Sequence, residues 1–201
     1  MFALFFTLLS NSLQAQLSLS NILEYQLGNL PGTEPENLST LYDQLNLAYH
    51  YNNIEVSARF EQFHTQDRTE SYTEVAQRYL SFNHADLEIT VGNYYKIIGR
   101  GLLLRSYEIP GAIVEDRGFR TRYGFYRDID GVLVKFEPDI FEVNVYYGRP
   151  LNNEVPPTFD KEFRRPNLIQ GVESNFFLGD WNFGSSYLRN NTESEINEYG
   201  S

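Results

Sequence analysis

The sequence predicts an all-β protein: an antiparallel transmembrane β-barrel, incomplete in this chain and therefore left as an open, curved meander sheet. Three observations predict it. Apolar and polar residues alternate along most of the chain, many alternating segments are about ten residues long, and very short turns alternate with long polar loops. Transmembrane strands need roughly 9–11 residues, whereas strands of soluble proteins are most often about 5–6 residues long.

The composition excludes several classes of protein. The 201-residue chain carries a formal net charge of −11, which argues against nucleic-acid binding because that requires a basic surface. The chain contains no cysteine, which excludes a disulfide scaffold, a zinc–thiolate site and a thiol nucleophile. Its three scattered histidines suggest neither a metal site nor a catalytic constellation. The sequence therefore predicts no cofactor, no metal and no enzymatic activity.

Residues 1–15 predict a cleavable secretory signal peptide. An apolar block at 2–9 precedes a polar stretch, and the small Ala15 suits cleavage after it. No basic residue precedes the block, since Arg59 is the first in the chain, so either the signal is unusual or the true start lies upstream. A buried terminal strand or helix is the alternative. Residues 16–201 would then be the amino-terminal part of an exported barrel.

The strand prediction follows from alternation and turn chemistry. Alternating segments at 17–27, 41–51 and 54–61 predict the first three strands, and Asn52-Asn53 suits a tight turn because asparagine tolerates positive φ. Further hairpins are predicted with their short turns at 84–85, 137–139 and 179–180. The long polar connections are 30–40, 65–73 and 149–166. Short turns opposite long loops are typical of outer-membrane barrels.

One face of these strands is predicted to contact lipid. Aromatic residues cluster near the strand ends, where an outer-membrane barrel carries its aromatic girdles. The side chains expected to point outward are Leu45, Leu47, Tyr49, Val56, Ala58, Phe60, Leu87, Ile89, Val143 and Val145.

A basic segment at 92–127 interrupts the alternation. Gly99-Arg100-Gly101 matches neither a dinucleotide fingerprint nor a P-loop. Because guanidinium groups cannot face hydrocarbon cheaply, we expect 96–127 to contain a portion that folds inward and lines the lumen. Two interpretations of its arginines stay open: an ion-pair network with acidic residues, or a site for an anionic solute. The candidate cluster is Arg100, Arg105, Arg117, Arg120, Arg122 and Arg127.

The run VGNYYKIIGRGLLLRSYE at 91–108, followed by PGAIVEDRGFR at 110–120, resembles a group of uncharacterised outer-membrane β-barrel proteins of the Bacteroidota. The resemblance covers 17–201, which would be only the amino-terminal portion of such a barrel. It implies a fold and a location in the outer membrane, and it carries over no functional residue.

Three functions compete at this point. The first is an outer-membrane barrel with a porin-like transport or envelope-assembly role, whose partners are outer-membrane lipid and an anionic solute or other envelope proteins, and not nucleic acid. The second is a secreted, soluble β-sandwich that binds glycans through exposed aromatic rings. The third and weakest is a membrane-embedded enzyme. Strand length and loop asymmetry favour the barrel.

Overall fold

The computed structural model describes residues 15–29, 37–66, 71–116, 121–150 and 167–191. Residues 1–14 of the predicted signal peptide, and 30–36, 67–70 and 151–166 of the predicted long loops, lie outside these ranges. Within the described residues, no helix is long and apolar enough to cross a membrane.

Nine strands form one antiparallel sheet in which every neighbour is the next sheet strand along the chain. Strands are numbered along the chain, and those of the sheet are β1 (Ala15–Asn29), β2 (Asn37–Tyr51), β3 (Ile54–Thr65), β4 (Tyr72–His84), β5 (Leu87–Tyr94), β10 (Ile129–Phe136), β11 (Phe141–Pro150), β12 (Leu168–Leu178) and β13 (Trp181–Asn191). The sheet is not closed, since β1 and β13 are its edges and do not pair with each other. The predicted all-β, open antiparallel architecture is therefore confirmed.

The predicted hairpins form with nearly the expected turns. Asn52 adopts a positive φ of 51° between β2 and β3, as its side chain allows. The turn between β4 and β5 lies one residue later than predicted: His84 still pairs with Leu87, and Ala85, with a φ of 48°, begins the turn. The predicted turn residues, His84 and Ala85, are not typical turn formers. Alternation alone therefore could not fix the residue at which the turn begins.

The two faces of the sheet differ in chemistry. All ten side chains predicted to point outward share one face, which also carries exposed residues such as Leu19 and Trp181, 64% and 69% accessible. On strands β4, β10 and β11, alternation also places Arg78, Asp130 and Arg149 on this outer face, and the apolar side chains of Phe60 and Val75 lie beyond Arg78, farther from the short turns. The opposite, inner face is rich in polar and charged side chains.

A row of glycines crosses the middle of the sheet. Gly92, Gly131 and Gly148 are direct neighbours on β5, β10 and β11. Gly92 has a φ of 105°, and a Cβ on Gly131 would overlap the carbonyl oxygen of Tyr147. The row therefore lets three backbones approach closely, as happens where sheets bend sharply.

Residues 95–128, which we call the insert, leave the sheet after β5 and return to it at β10. The described part forms two small hairpins, β6 (Ile97–Ile98) with β7 (Leu104–Arg105) and β8 (Glu108–Asp116) with β9 (Thr121–Tyr126). Each hairpin covers an apolar cluster of the inner face. Ile98 packs into the cluster Tyr94, Ile129, Leu133, Tyr146 and Ile169, and Ile113 packs on the cluster Tyr42, Phe63 and Tyr72.

Candidate functional site

The insert lies on the inner face of the sheet and makes hydrogen bonds and ion pairs to strands of both halves. The basic segment, which was predicted to fold inward, thus lies on the polar face of the open sheet, and most of its polar contacts involve residues that the sequence did not single out. The contacts fall into three groups, one at β3, one at β1 and one at β11 and β12.

The central contact is a buried ion pair between the sheet and the insert. Arg59 of β3 donates from Nη2 to Oε1 of Glu108 at 2.5 Å, and the two side chains are only 10% and 19% exposed. Arg59 also donates from Nε to Asn46 at 2.6 Å, and its guanidinium lies 5.3 Å from the ring centre of Tyr126. Such a pair costs desolvation, and it is stable only when further hydrogen bonds satisfy its atoms.

Tyr95 extends this network within the insert. Its hydroxyl donates to Oε2 of Glu108 at 2.9 Å and accepts from Gln77 at 2.5 Å. Burial raises the pKa of Tyr95 well above its usual range, so the phenol keeps its proton and remains a donor to the carboxylate. Burial raises the pKa of Tyr126 in the same way. Both oxygens of Glu108 are thereby occupied.

The second contact joins β9 to the first strand. Arg122, 5% exposed, donates from Nη2 to Glu24 at 2.5 Å. The Arg122 backbone oxygen accepts from the hydroxyl of Tyr72 at 2.9 Å, and a Cβ on Gly124 would lie 2.9 Å from Oε1 of Gln44 and 3.2 Å from the Tyr42 hydroxyl. The sequence therefore allows the β8–β9 hairpin to approach the sheet closely.

The third contact holds the β6–β7 hairpin against the other half of the sheet. Lys96 lies 3.2 Å from Glu173 and 3.9 Å from Glu142. The backbone amide of Gly99 donates to Glu173 at 3.1 Å. Gly99, Arg100 and Gly101 all have positive φ, which gives this segment its tight turn.

A polar cleft of about 730 Å³ lies between the insert and strands β1–β5 and β10. Its wall combines carboxylates, one arginine, and many hydroxyl and amide groups. The lining includes Asn46, Glu55, Ser57, Arg59, Gln77, Tyr79, Ser81, Asn83, Glu88, Thr90, Tyr95 and Glu108. A volume of this size suits a small-molecule ligand.

The six arginines named from the sequence lie in different surroundings. Arg117 and Arg120 lie outside the described residues. Arg100 and Arg105 are exposed near the β12 side, where Arg105 donates to the Gly101 carbonyl at 3.0 Å. Arg127 stacks on the ring of Phe125 at 5.5 Å. Of the four described, Arg122 makes the ion pair with the sheet, so an ion-pair role has support there and the anion site stays a prediction.

Sequence reasoning missed the residues that complete the contacts. Arg59 was visible on the predicted polar face and Glu108 within the basic segment, but they are separated by 49 positions and nothing in the spacing joins them. Lys96 and Glu173 are still farther apart in the chain. The sequence offered one signal for these contacts: Arg59 is a single basic residue on a polar face that also carries glutamates, and a buried cation needs an acidic partner.

No group of three or more potential metal-ligating side chains occurs within the described ranges. A comparison with curated proteins finds no match. A comparison with protein families finds one that matches residues 9–198, which spans the whole described sheet and the insert. That family is described as a family of unknown function, DUF6029, and because the match covers nearly all of the sequence, this chain belongs to it.

Proposed function

We propose that this chain forms part of the wall of a β-barrel in the outer membrane of a Gram-negative bacterium, and that the insert narrows a solute-conducting lumen. The observation that carries the proposal is the arrangement of the two faces. The insert lies over the middle of the polar face, while the apolar face stays open across all nine strands.

The outer face supports the membrane part of the proposal. Monomeric soluble proteins rarely expose apolar patches larger than a few hundred Å², whereas this face exposes apolar side chains from β1 to β13. A soluble sandwich would instead bury such a face against a second sheet. The sheet strands, 8 to 15 residues long, also suit a bilayer better than a sandwich.

The inner face supports the conduit part. In a barrel the inward-pointing side chains are polar and either line water or hold a plug. Here two hairpins lie on that face and are fixed by Arg59, Arg122 and Lys96. Because these ion pairs hold the insert against the inner face, the insert would occupy part of the lumen, which would be narrower than an open porin channel. The remaining polar cleft would be the path or site for solute.

The membrane location can be tested with single-cysteine variants, because the chain contains no cysteine of its own. Val145→Cys lies on the outer face and Ser57→Cys on the inner face, lining the cleft. After expression in a Gram-negative host, the protein should fractionate with the outer membrane. A spin label at 145 should be accessible to oxygen but not to a water-soluble nickel chelate.

The label at 57 supplies the matched control, because it should be shielded from lipid and show no preference for oxygen. Recovery of the protein in a soluble fraction would contradict the proposal. So would nickel accessibility at 145 equal to that of an exposed turn position such as Asp180→Cys.

A further inference from the structure

The cleft between the insert and the sheet contains few charges that are free to bind a charged ligand. Arg59 and Glu108 pair with each other, and Glu55 accepts from the Tyr79 hydroxyl at 2.5 Å. Glu88 is the exception: it lines the cleft, no hydrogen bond or salt bridge reaches its side chain within the described residues, and its electrostatic contact is with the cross-strand Lys135. Its cross-strand neighbour Lys135 pairs with Glu137 at 2.5 Å.

The rest of the wall is neutral and rich in hydrogen-bonding groups with spare capacity. A side-chain amide offers two donors and one acceptor with two lone pairs, and a hydroxyl offers both functions. Asn83 and Thr90 each make one weak bond, at 3.4 Å and 3.3 Å, to the Ser81 hydroxyl. Most of their capacity is therefore available to a ligand.

Arg59 adds an unused donor. The residue is only 8% exposed, it lines the cleft, and its Nη1 atom has no hydrogen-bond partner among the described residues. An unpaired buried donor is costly, and a water beneath the wall would satisfy it, because this atom has almost no surface accessible from the cleft. A ligand that matches this wall must therefore donate to Glu88, and it need not pair with Arg59, whose charge Glu108 already balances.

We propose that this cleft binds a neutral, polyhydroxylated solute of the size of a short oligosaccharide. Each hydroxyl group of such a solute both donates and accepts, which matches the mixed wall, and the solute carries no charge that Arg59 or Glu88 would reject. The phenol rings of Tyr79 and Tyr95 in the same wall offer apolar surface to a sugar face. The inference deepens the proposed function by naming the class of solute.

Isothermal titration calorimetry on the full protein, folded in a detergent without a sugar headgroup, tests this with probes of three charges. Maltotriose and cellotriose are neutral polyols, spermidine is a cation and citrate is an anion. At least one trisaccharide should bind saturably and more tightly than either charged probe. Absence of trisaccharide binding, or tighter binding of spermidine or citrate, would overturn the proposal.

Glu88→Ala should weaken trisaccharide binding about tenfold, since a hydrogen bond to a charged group is lost. Asp86→Ala is the matched control, because Asp86 is exposed in the turn two residues earlier and does not line the cleft. It should leave binding unchanged, and Glu88→Gln, which keeps the shape and one acceptor, should give an intermediate value. Equal binding by the Glu88→Ala and Asp86→Ala variants would also overturn the proposal.

This outcome is separate from the membrane test. An outer-membrane protein that binds no sugar would contradict only the solute class. A soluble protein that binds trisaccharide through Glu88 would contradict only the membrane location.

Discussion

The two faces of the nine-stranded sheet use the same alternation for opposite purposes. On β3, Val56, Ala58 and Phe60 point to the open outer face, while Arg59 and Glu61 point under the insert. The polar face is the one that the protein covers with its own chain. In a soluble protein the apolar face would be covered instead.

This difference shows where specific interactions are needed. Contacts on the inner face are directional: each of the three cations that anchor the insert, whether on the sheet or on the insert, has a named acidic partner. The outer face offers mainly apolar surface, with few paired polar groups such as Asn21 and Asp43. A substitution should therefore matter on the inner face when it removes a partner, and on the outer face when it adds a charge.

The largest effect is expected from breaking the buried ion pair. Glu108→Ala leaves Arg59 buried without its carboxylate, and it should lower the free energy of unfolding by about 3–5 kcal/mol. Denaturant titration of the folded protein in lipid or detergent measures this change. The double variant Arg59→Met with Glu108→Ala should recover part of the loss, because no unpaired charge remains. A double variant no more stable than the single one would contradict this account.

A charge on the outer face should have the next largest effect. Val134 lies in a row with Ile89 and Val145 on that face, inside the apolar band. Val134→Arg should cost about 2–4 kcal/mol of folding stability in lipid if the row lies at the bilayer midplane.

Lys135→Arg provides its control, since it places the same guanidinium one residue further along, on the inner face, where a cation already pairs with Glu137. It should leave stability in lipid nearly unchanged. Equal losses for the two variants would remove the distinction between the faces.

The sequence predicted the sheet well because each strand carries its own evidence. Alternation marks both faces within a single strand, and Asn52-Asn53 or Gly179-Asp180 marks a turn without reference to the rest of the chain. The register error at Ala85 arose where that local signal was weak.

The candidate site was predicted only in outline. The inward fold of the basic segment followed from the cost of exposing arginine to lipid. The partners did not follow, because Arg59–Glu108 and Arg122–Glu24 join distant strands, and only the folded sheet brings them together. The arginine count also misled: Arg100 and Arg105 are exposed, while Lys96, outside the named cluster, binds Glu173.

A smaller effect is expected from filling the glycine row formed by Gly92, Gly131 and Gly148 on three neighbouring strands. Gly131→Ala would force its new methyl group against the carbonyl oxygen of Tyr147, and such overpacking costs about 1–3 kcal/mol. Thermal or denaturant unfolding measures the loss. Gly28→Ala in β1 is the control, because no atom lies within 4 Å of the new methyl group. A loss at Gly28 equal to that at Gly131 would show that strand glycines in general, rather than the row, explain the effect.

The smallest effect is expected from the Lys135–Glu137 pair. Its atoms approach to 2.5 Å, as closely as those of Arg59 and Glu108, but its side chains are 31% and 50% exposed. Water screens such a pair, so Glu137→Ala should change the free energy of unfolding by no more than about 1 kcal/mol. The same titration in high salt should reduce the difference between the variant and the parent protein, because salt screens an exposed ion pair. Because the two pairs have equal distances, a loss at Glu137 as large as that at Glu108 would show that distance, and not burial beneath the insert, sets the strength of these contacts.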